Sequence, residues 1–171
     1  MEAGQFTEWA ERYMDMVYRI ALNCVRSQAD AEDVVQNVML RFYQSAKPFE
    51  SEEHVRYWLC RVAVNESRRL MAAPWKHRVT ALNEAFEGRN GTAEEGEVMA
   101  AVAALPTKYR LPLYLYYFEG YSVDEIGRIL GRNSSTVQTH LARARDQLRT
   151  ILKEEGAQWK RKIAIKQLLQ S

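Results

Sequence analysis

The sequence predicts an all-α protein made of two small helical domains, a helical bundle and a helix-turn-helix unit, joined by a flexible linker. Three observations lead there. Apolar residues recur at steps of three and four in two separate blocks, a glycine-bearing acidic stretch without that period lies between them, and the second block contains two capped helices around a glycine turn. A chain of 171 residues has room for one domain or two small ones, each burying a modest core.

The first helix rests on Phe6, Trp9, Tyr13, Val17, Ile20 and Cys24, which share one face at a period of 3.6 residues. After a break at Arg26-Ser27-Gln28-Ala29, Asp30 is the expected N-cap of a second helix. Its acidic first turn (Glu32, Asp33) suits the helix dipole, and Val34, Val35, Val38, Leu40 and Phe42 are its expected apolar positions. Lys47-Pro48-Phe49 ends it. The charged loop Glu50-Ser51-Glu52-Glu53 leads to a third helix from about His54 to Leu70, with Val55, Trp58, Leu59, Val62, Ala63 and Leu70 turned inward, and Pro74 stops that helix.

From Asn83 to Gly96 the period is lost among Asn, Gly, Thr and Glu, which reads as a flexible acidic linker. About 20 residues of this kind, if extended, reach up to roughly 70 Å. The second block begins near Glu97 with Val98, Val102 and Leu105, and Pro106-Thr107 restarts a helix through Tyr109, Leu113, Tyr116 and Tyr117. Gly120 closes it in the left-handed conformation glycine tolerates. Ser122-Val123-Asp124-Glu125 is a capping box that opens a short helix to Leu130. Gly131-Arg132-Asn133 makes a turn, and Ser134 or Ser135 is the expected cap of a long helix from Thr136 to about Lys153, with Val137, Leu141, Ala144, Leu148 and Leu152 inward. That succession describes helix-turn-helix.

The formal net charge of +2 conceals its distribution. Residues 1–79 balance to zero, residues 80–104 carry −4, residues 105–153 carry +4 and residues 154–171 carry +2. The basic second block points to nucleic acid. In a helix-turn-helix the start of the second helix enters the major groove, where Gln138, Thr139, Ala142, Arg143 and Arg145 face outward, with Arg132 and Asn133 in the turn. Arg can fork onto guanine, Gln onto adenine, and Thr or Ala can meet a thymine methyl. Lys108, Arg110 and Arg128 suit phosphates. The competing reading is an ordinary solvated helix face. In the first block, Tyr57 and Trp58 lie among Arg56, Arg61, Asn65, Glu66, Arg68 and Arg69, the mixture of a surface that stacks single-stranded bases. A core position for Trp58, with arginines that only solubilise the helix, fits the spacing as well.

Other classes are disfavoured. No run approaches the roughly 20 apolar residues of a membrane span, and Met1-Glu2-Ala3-Gly4 lacks the start of a secretory signal, so a cytoplasmic protein without membrane insertion is expected. Cys24 and Cys60 sit in apolar helical patterns, and His54, His77 and His140 have no partners at ligand spacing. No metal, no cofactor and no enzyme activity are expected. The tail from Trp159 to Leu169 reads as a short basic amphipathic helix, for which packing back on the second block is the plainest use and contact with upstream DNA or a partner the alternatives.

Four segments, Asp30-Ala31-Glu32-Asp33-Val34-Val35-Gln36, Tyr57 to Asn65, Leu105-Pro106-Thr107-Lys108-Tyr109-Arg110, and Tyr121 to Arg145, closely resemble in order and spacing the extracytoplasmic-function (group IV) sigma factors of bacterial RNA polymerase. The resemblance covers about residues 5–153. It implies a sigma-2 domain over 1–75, an acidic linker over 76–96, a sigma-4 domain over 97–153 and a basic tail over 154–171. It further implies that Asp30, Glu32, Asp33, Gln36 and Asn37 dock on the clamp helices of the beta-prime subunit of core RNA polymerase, Asn37 standing where the family often has Glu. Minus-ten promoter DNA would be met by the loop Lys47 to Val55 and by Arg56, Trp58, Arg61, Asn65, Glu66, Arg68 and Arg69. The minus-thirty-five element would be met by Arg132, Asn133, Ser135, Thr136, Gln138, Thr139, Ala142 and Arg143, with Gln138 where many members carry Lys or Arg. The beta flap of the polymerase and an anti-sigma factor are the further implied partners. Related linkers run toward the RNA exit channel, where Glu84, Glu87, Glu94 and Glu95 would lie. The alternative is a stand-alone helix-turn-helix regulator that binds duplex DNA through residues 97–153.

Overall fold

The computed structural model describes residues 1–73 and 93–154, with side chains in the second stretch described over 98–153. Among these residues there are seven helices and no strand. The chain divides into two compact units, Met1–Ala81 and Leu82–Ser171. The expected tail helix and most of the expected linker lie outside the described residues.

In the first unit α1 (Ala3–Val25), α2 (Gln28–Tyr43) and α3 (Glu52–Met71) pack pairwise into a three-helix bundle. Its core is Val17, Ile20 and Cys24 of α1, Ala31, Val34, Val38 and Phe42 of α2, and Val55, Leu59, Cys60, Ala63 and Val64 of α3, all buried. Each fully buried aliphatic or aromatic side chain contributes about 1.5–3 kcal/mol, so the apolar stripes hold this bundle together. Arg26 turns the chain between α1 and α2 in the left-handed region (φ 56°), its N–H donating to the Leu22 carbonyl at 3.1 Å.

Three expectations are corrected here. The cap of α2 is Ser27, whose hydroxyl accepts from the Asp30 N–H at 3.4 Å; a serine one turn earlier satisfies the amide, and Asp30 falls inside the helix. Leu40 is not apolar core but 55% exposed, because the bundle-facing stripe of α2 passes through Val38, Met39 and Phe42. α3 starts two residues earlier than expected, capped by the Ser51 hydroxyl on the His54 N–H at 3.1 Å.

In the second unit α4 (Ala93–Ala104), α5 (Thr107–Tyr117) and α6 (Val123–Leu130) gather around α7 (Ser134–Glu154). α4 begins before Glu97, and Gly96 does not break it. α7 packs on the other three helices, burying Val137, Leu141, Ala144, Leu148 and Leu152. The capping box at Ser122 and Glu125 is formed in both directions, at 3.2 and 2.8 Å. Gly120 and Gly131 take positive φ (74° and 67°), as their places after α5 and α6 require. The cap of α7 is Asn133 rather than a serine: its side-chain oxygen accepts from the Thr136 N–H at 2.8 Å and from the Ser135 hydroxyl at 2.9 Å. The Ser134 hydroxyl donates instead to Asp124, tying α7 back to α6.

The angle between α6 and α7 has a specific origin. A Cβ on Gly127 would sit 2.6 Å from the Arg132 carbonyl oxygen, so only glycine lets the turn close against α6.

Candidate nucleic-acid interface

The first unit presents two unlike faces. On α2, Glu32, Asp33, Gln36 and Asn37 are exposed and Asp30 is half-buried. Asp33, Gln36, Asn37 and Leu40 follow one another at helical spacing, so acidic and amide groups share a face with an exposed leucine. Tyr43 continues the apolar end, 54% exposed. An acidic surface with a bare leucine suits a basic, partly apolar protein surface and repels DNA phosphate.

On α3, Arg61, Asn65, Arg68 and Arg69 are exposed and Arg56 is half-buried. Trp58 is half-buried in an aromatic cluster, its ring centroid 5.8 Å from Phe42 and 5.6 Å from Phe49, with Trp9 and Phe6 extending the same cluster. Offset and edge contacts of this kind favour packing, so Trp58 anchors the end of the 44–51 loop by holding Phe49. Glu66 is not on the surface with its neighbours. Its side chain is 3% exposed and its two carboxylate oxygens meet Arg41 of α2 at 2.9 Å and Arg69 at 2.8 Å. An acidic side chain turned inward loses water and takes two guanidinium partners in exchange.

The base of the same loop is fixed from α1. The Tyr13 hydroxyl donates to Glu52 at 2.6 Å and Arg12 pairs with the same carboxylate at 2.5 Å. These hydrogen bonds, Tyr13 first, hold the Glu52 carboxyl below its ordinary range, while burial and the bond to Glu52 push Tyr13 up to about 12.

In the second unit Ser135, Gln138, Thr139, Ala142 and Arg143 form one exposed face of α7 opposite its buried stripe, with Arg132 and Asn133 exposed at the turn and Thr136 half-buried. Asn133 and Ser135 spend hydrogen-bonding capacity on the cap. Thr139 donates its hydroxyl to the Ser135 carbonyl at 2.9 Å, which leaves its methyl as the free part of the side chain. The face therefore offers one amide, one guanidinium, one methyl-bearing residue and one alanine, a set that matches base edges in a major groove.

The arginines of α7 are steered by tyrosines of α5. Arg145 donates from Nε to the Tyr117 hydroxyl at 2.8 Å with its guanidinium 5.6 Å from that ring, so it is held against α5 and does not join the outward face expected for it. Arg143 reaches the Tyr109 hydroxyl at 3.5 Å and stays exposed. Tyr109 also carries His140 edge-on at 5.4 Å and Lys108 over its ring at 4.9 Å. Arg143 foremost, then Lys108, draw the Tyr109 phenol below its ordinary range. Burial, then Lys108, Arg132 and Arg143, lower His140 below the ordinary imidazole range. Arg110, expected at phosphates, is 1% exposed and donates to the Ala103 and Leu105 carbonyls and to Thr107. Its charge closes the end of α4, a use that composition alone does not reveal.

Residues 9–76 match the family model Sigma-70 region 2, and residues 95–148 match Sigma-70, region 4; between them they cover most of the chain in the expected order. The chain belongs to the sigma-70 family. Its relatives place it among the extracytoplasmic-function sigma factors. It is 28% identical over 162 residues to the ECF RNA polymerase sigma factor SigE of Mycolicibacterium smegmatis, covering 88% of this chain and 63% of the relative. It is 28% identical to RNA polymerase sigma factor SigV of Bacillus subtilis, covering 81% of this chain and 85% of the relative. The fold is shared with the sigma factor RpoE of Bartonella quintana, solved in complex with the anti-sigma factor NepR (TM-score 0.70, 19% identity, 87% of this chain and 97% of that one). It is also shared with CnrH, solved in complex with the cytosolic domain of CnrY (TM-score 0.62, 23% identity, 90% of each chain). Among the described residues of this sigma factor, no helix is long and apolar enough to cross a membrane.

Proposed function

We propose that this sigma factor binds core RNA polymerase, directs it to a set of promoters through two DNA-reading surfaces, and helps separate the strands at the start site. The observation that carries this reading is the contrast within one chain between α2, whose exposed face is acidic and apolar, and α7, whose exposed face is polar and carries Arg143. The first suits a protein and the second a duplex.

Residues 1–75 act as sigma-2. Asp30, Glu32, Asp33, Gln36 and Asn37 dock on the beta-prime clamp helices, with Leu40 as the apolar part of that contact. The loop 47–55 with Arg56, Arg61, Asn65, Arg68 and Arg69 meets the minus-ten DNA. Trp58 serves this surface by holding the loop, and Glu66 stands behind it. Residues 97–153 act as sigma-4, in which Gln138, Thr139, Ala142 and Arg143 read the minus-thirty-five element while Arg132, Asn133, Ser135 and Thr136 set the helix on the backbone. The same unit contacts the beta flap. The acidic linker 76–96 and the basic tail 154–171 join and extend these modules, an anti-sigma factor regulates the protein by covering its polymerase-binding surfaces, and the place of action is the cytoplasm.

In vitro transcription with core polymerase and a library of promoter fragments tests the reading. Promoter-specific transcripts are expected only when the protein is added. Footprinting of duplex DNA by the protein alone, without any redirection of core, would establish the stand-alone regulator instead.

A further inference from the structure

The Glu66 cluster ties Arg69 of the minus-ten surface to Arg41 of α2, a residue so far given no part in either contact. One buried carboxylate receives Arg41 from α2 on one oxygen and Arg69 from α3 on the other, at 2.9 and 2.8 Å. The carboxylate is 3% exposed, whereas the two arginine side chains are 54% and 67% exposed. Each guanidinium has five N–H donors in a rigid fork, and each meets Glu66 through a single Nη2 while its side chain stays more than half exposed, which leaves donors for a further acceptor. A side chain as long as arginine ordinarily samples many rotamers at an exposed position, and ordering it costs entropy at the moment of binding. Here that cost is met on folding, and two cations are set side by side with a net charge of +1.

We propose that Glu66 is a positioning residue that holds Arg41 and Arg69 as a paired grip for a DNA backbone phosphate, which makes Arg41, a residue of the docking helix, part of the promoter contact. Phosphate is the ligand this geometry fits. Two planar forks carried by different helices recognise an oxyanion with several acceptor oxygens, and exposed Asn65, four residues before Arg69, lies on the same side of α3. The carboxylate that would repel DNA from the surface is sealed behind its two partners. A helix-to-helix clamp of this kind also passes any shift of α2 on the polymerase directly to α3, so docking and DNA contact share one rigid body.

The inference rests on the sigma reading, and its test separates the two. Holoenzyme is assembled from core polymerase and full-length wild-type, Arg41→Ala or Glu66→Gln protein, and promoter affinity is measured from 50 to 200 mM salt. Each lost phosphate contact lowers the slope of log K against log salt by about 0.7–0.9. Arg41→Ala is expected to lower the slope by that amount, with core affinity within about twofold of wild type. Glu66→Gln is expected to weaken the promoter complex several-fold at 50 mM salt, and to have little further effect in an Arg41→Ala, Arg69→Ala background. An unchanged slope in Arg41→Ala overturns the grip, leaving the cluster a structural ion triad. Arg41 is exposed, so its variant remains informative if Glu66→Gln fails to fold. Failure of wild-type holoenzyme to select any promoter overturns the sigma reading itself.

Discussion

Two pairs of arginines, one in each unit, are fixed by different chemistry. In the three-helix unit Arg41 and Arg69 are pinned by a carboxylate; in the helix-turn-helix unit Arg143 and Arg145 are pinned by the phenols of Tyr109 and Tyr117. A carboxylate removes one positive charge for the order it imposes, whereas a neutral phenol imposes order and leaves the charge intact. The first unit is thereby kept near neutrality and suits DNA that another protein delivers. The second keeps its field for duplex DNA it meets more directly.

The largest expected effect tests the protein-facing half of that contrast. Asp33→Arg, which places a cation against a basic partner, should weaken core polymerase binding by about 3 kcal/mol in a titration of labelled protein, while upstream duplex contacts stay as they were. Next is Gly127→Ala: a methyl forced against the Arg132 carbonyl should cost about 2 kcal/mol, seen as a lower melting temperature of the second unit with the first unchanged. Arg143→Ala should lose about 1.5 kcal/mol of discrimination at a single upstream base pair, measured by competition among promoter variants. Tyr117→Phe should cost about 1 kcal/mol of stability in the second unit because Arg145 loses its acceptor, seen as a lower melting temperature, and leave the salt slope of promoter binding unchanged, since no charge is removed. A changed slope would collapse the distinction between phenol and carboxylate pins.

The smallest effect is a pH dependence of the first unit. The folded Glu52 carboxyl titrates below its unfolded value, so its contribution is present above about pH 4.3 and is lost as pH falls through the lower folded value. Thermal melts between pH 6 and 3 should show this loss in wild type and a flatter profile in Glu52→Gln. Tyr13 acts at the other end: its raised value means that its contribution disappears as pH climbs from about 10 toward 12.

Helix positions were legible because periodicity, caps and breakers are local. The capping box at Ser122 and the glycines at 120 and 131 sit where chain-local chemistry puts them. Two caps were misplaced by one turn or less, at Ser27 and Asn133, whereas the larger misreadings are decided by a neighbour on another segment. Glu66 looks like one more polar residue of α3 until Arg41 arrives from α2, and Arg110 looks like a phosphate contact until the carbonyls that end α4 are placed beside it. Leu40 shows the opposite case: hydrophobicity alone put it inward, while helix phase leaves it in solvent. At the candidate site, the outward face of α7 follows from phase alone, but the steering of Arg143 and Arg145 by tyrosines depends on how α5 crosses it.

Arg110 also sets the smallest fragment of the promoter-reading end that can live alone. Its guanidinium is satisfied by the Ala103 and Leu105 carbonyls and by Thr107, so a piece that begins at α5 would keep the cation and lose the carbonyls that meet it in its interior. A protease that separates α4 from α5 would therefore loosen the second unit without touching the exposed face of α7.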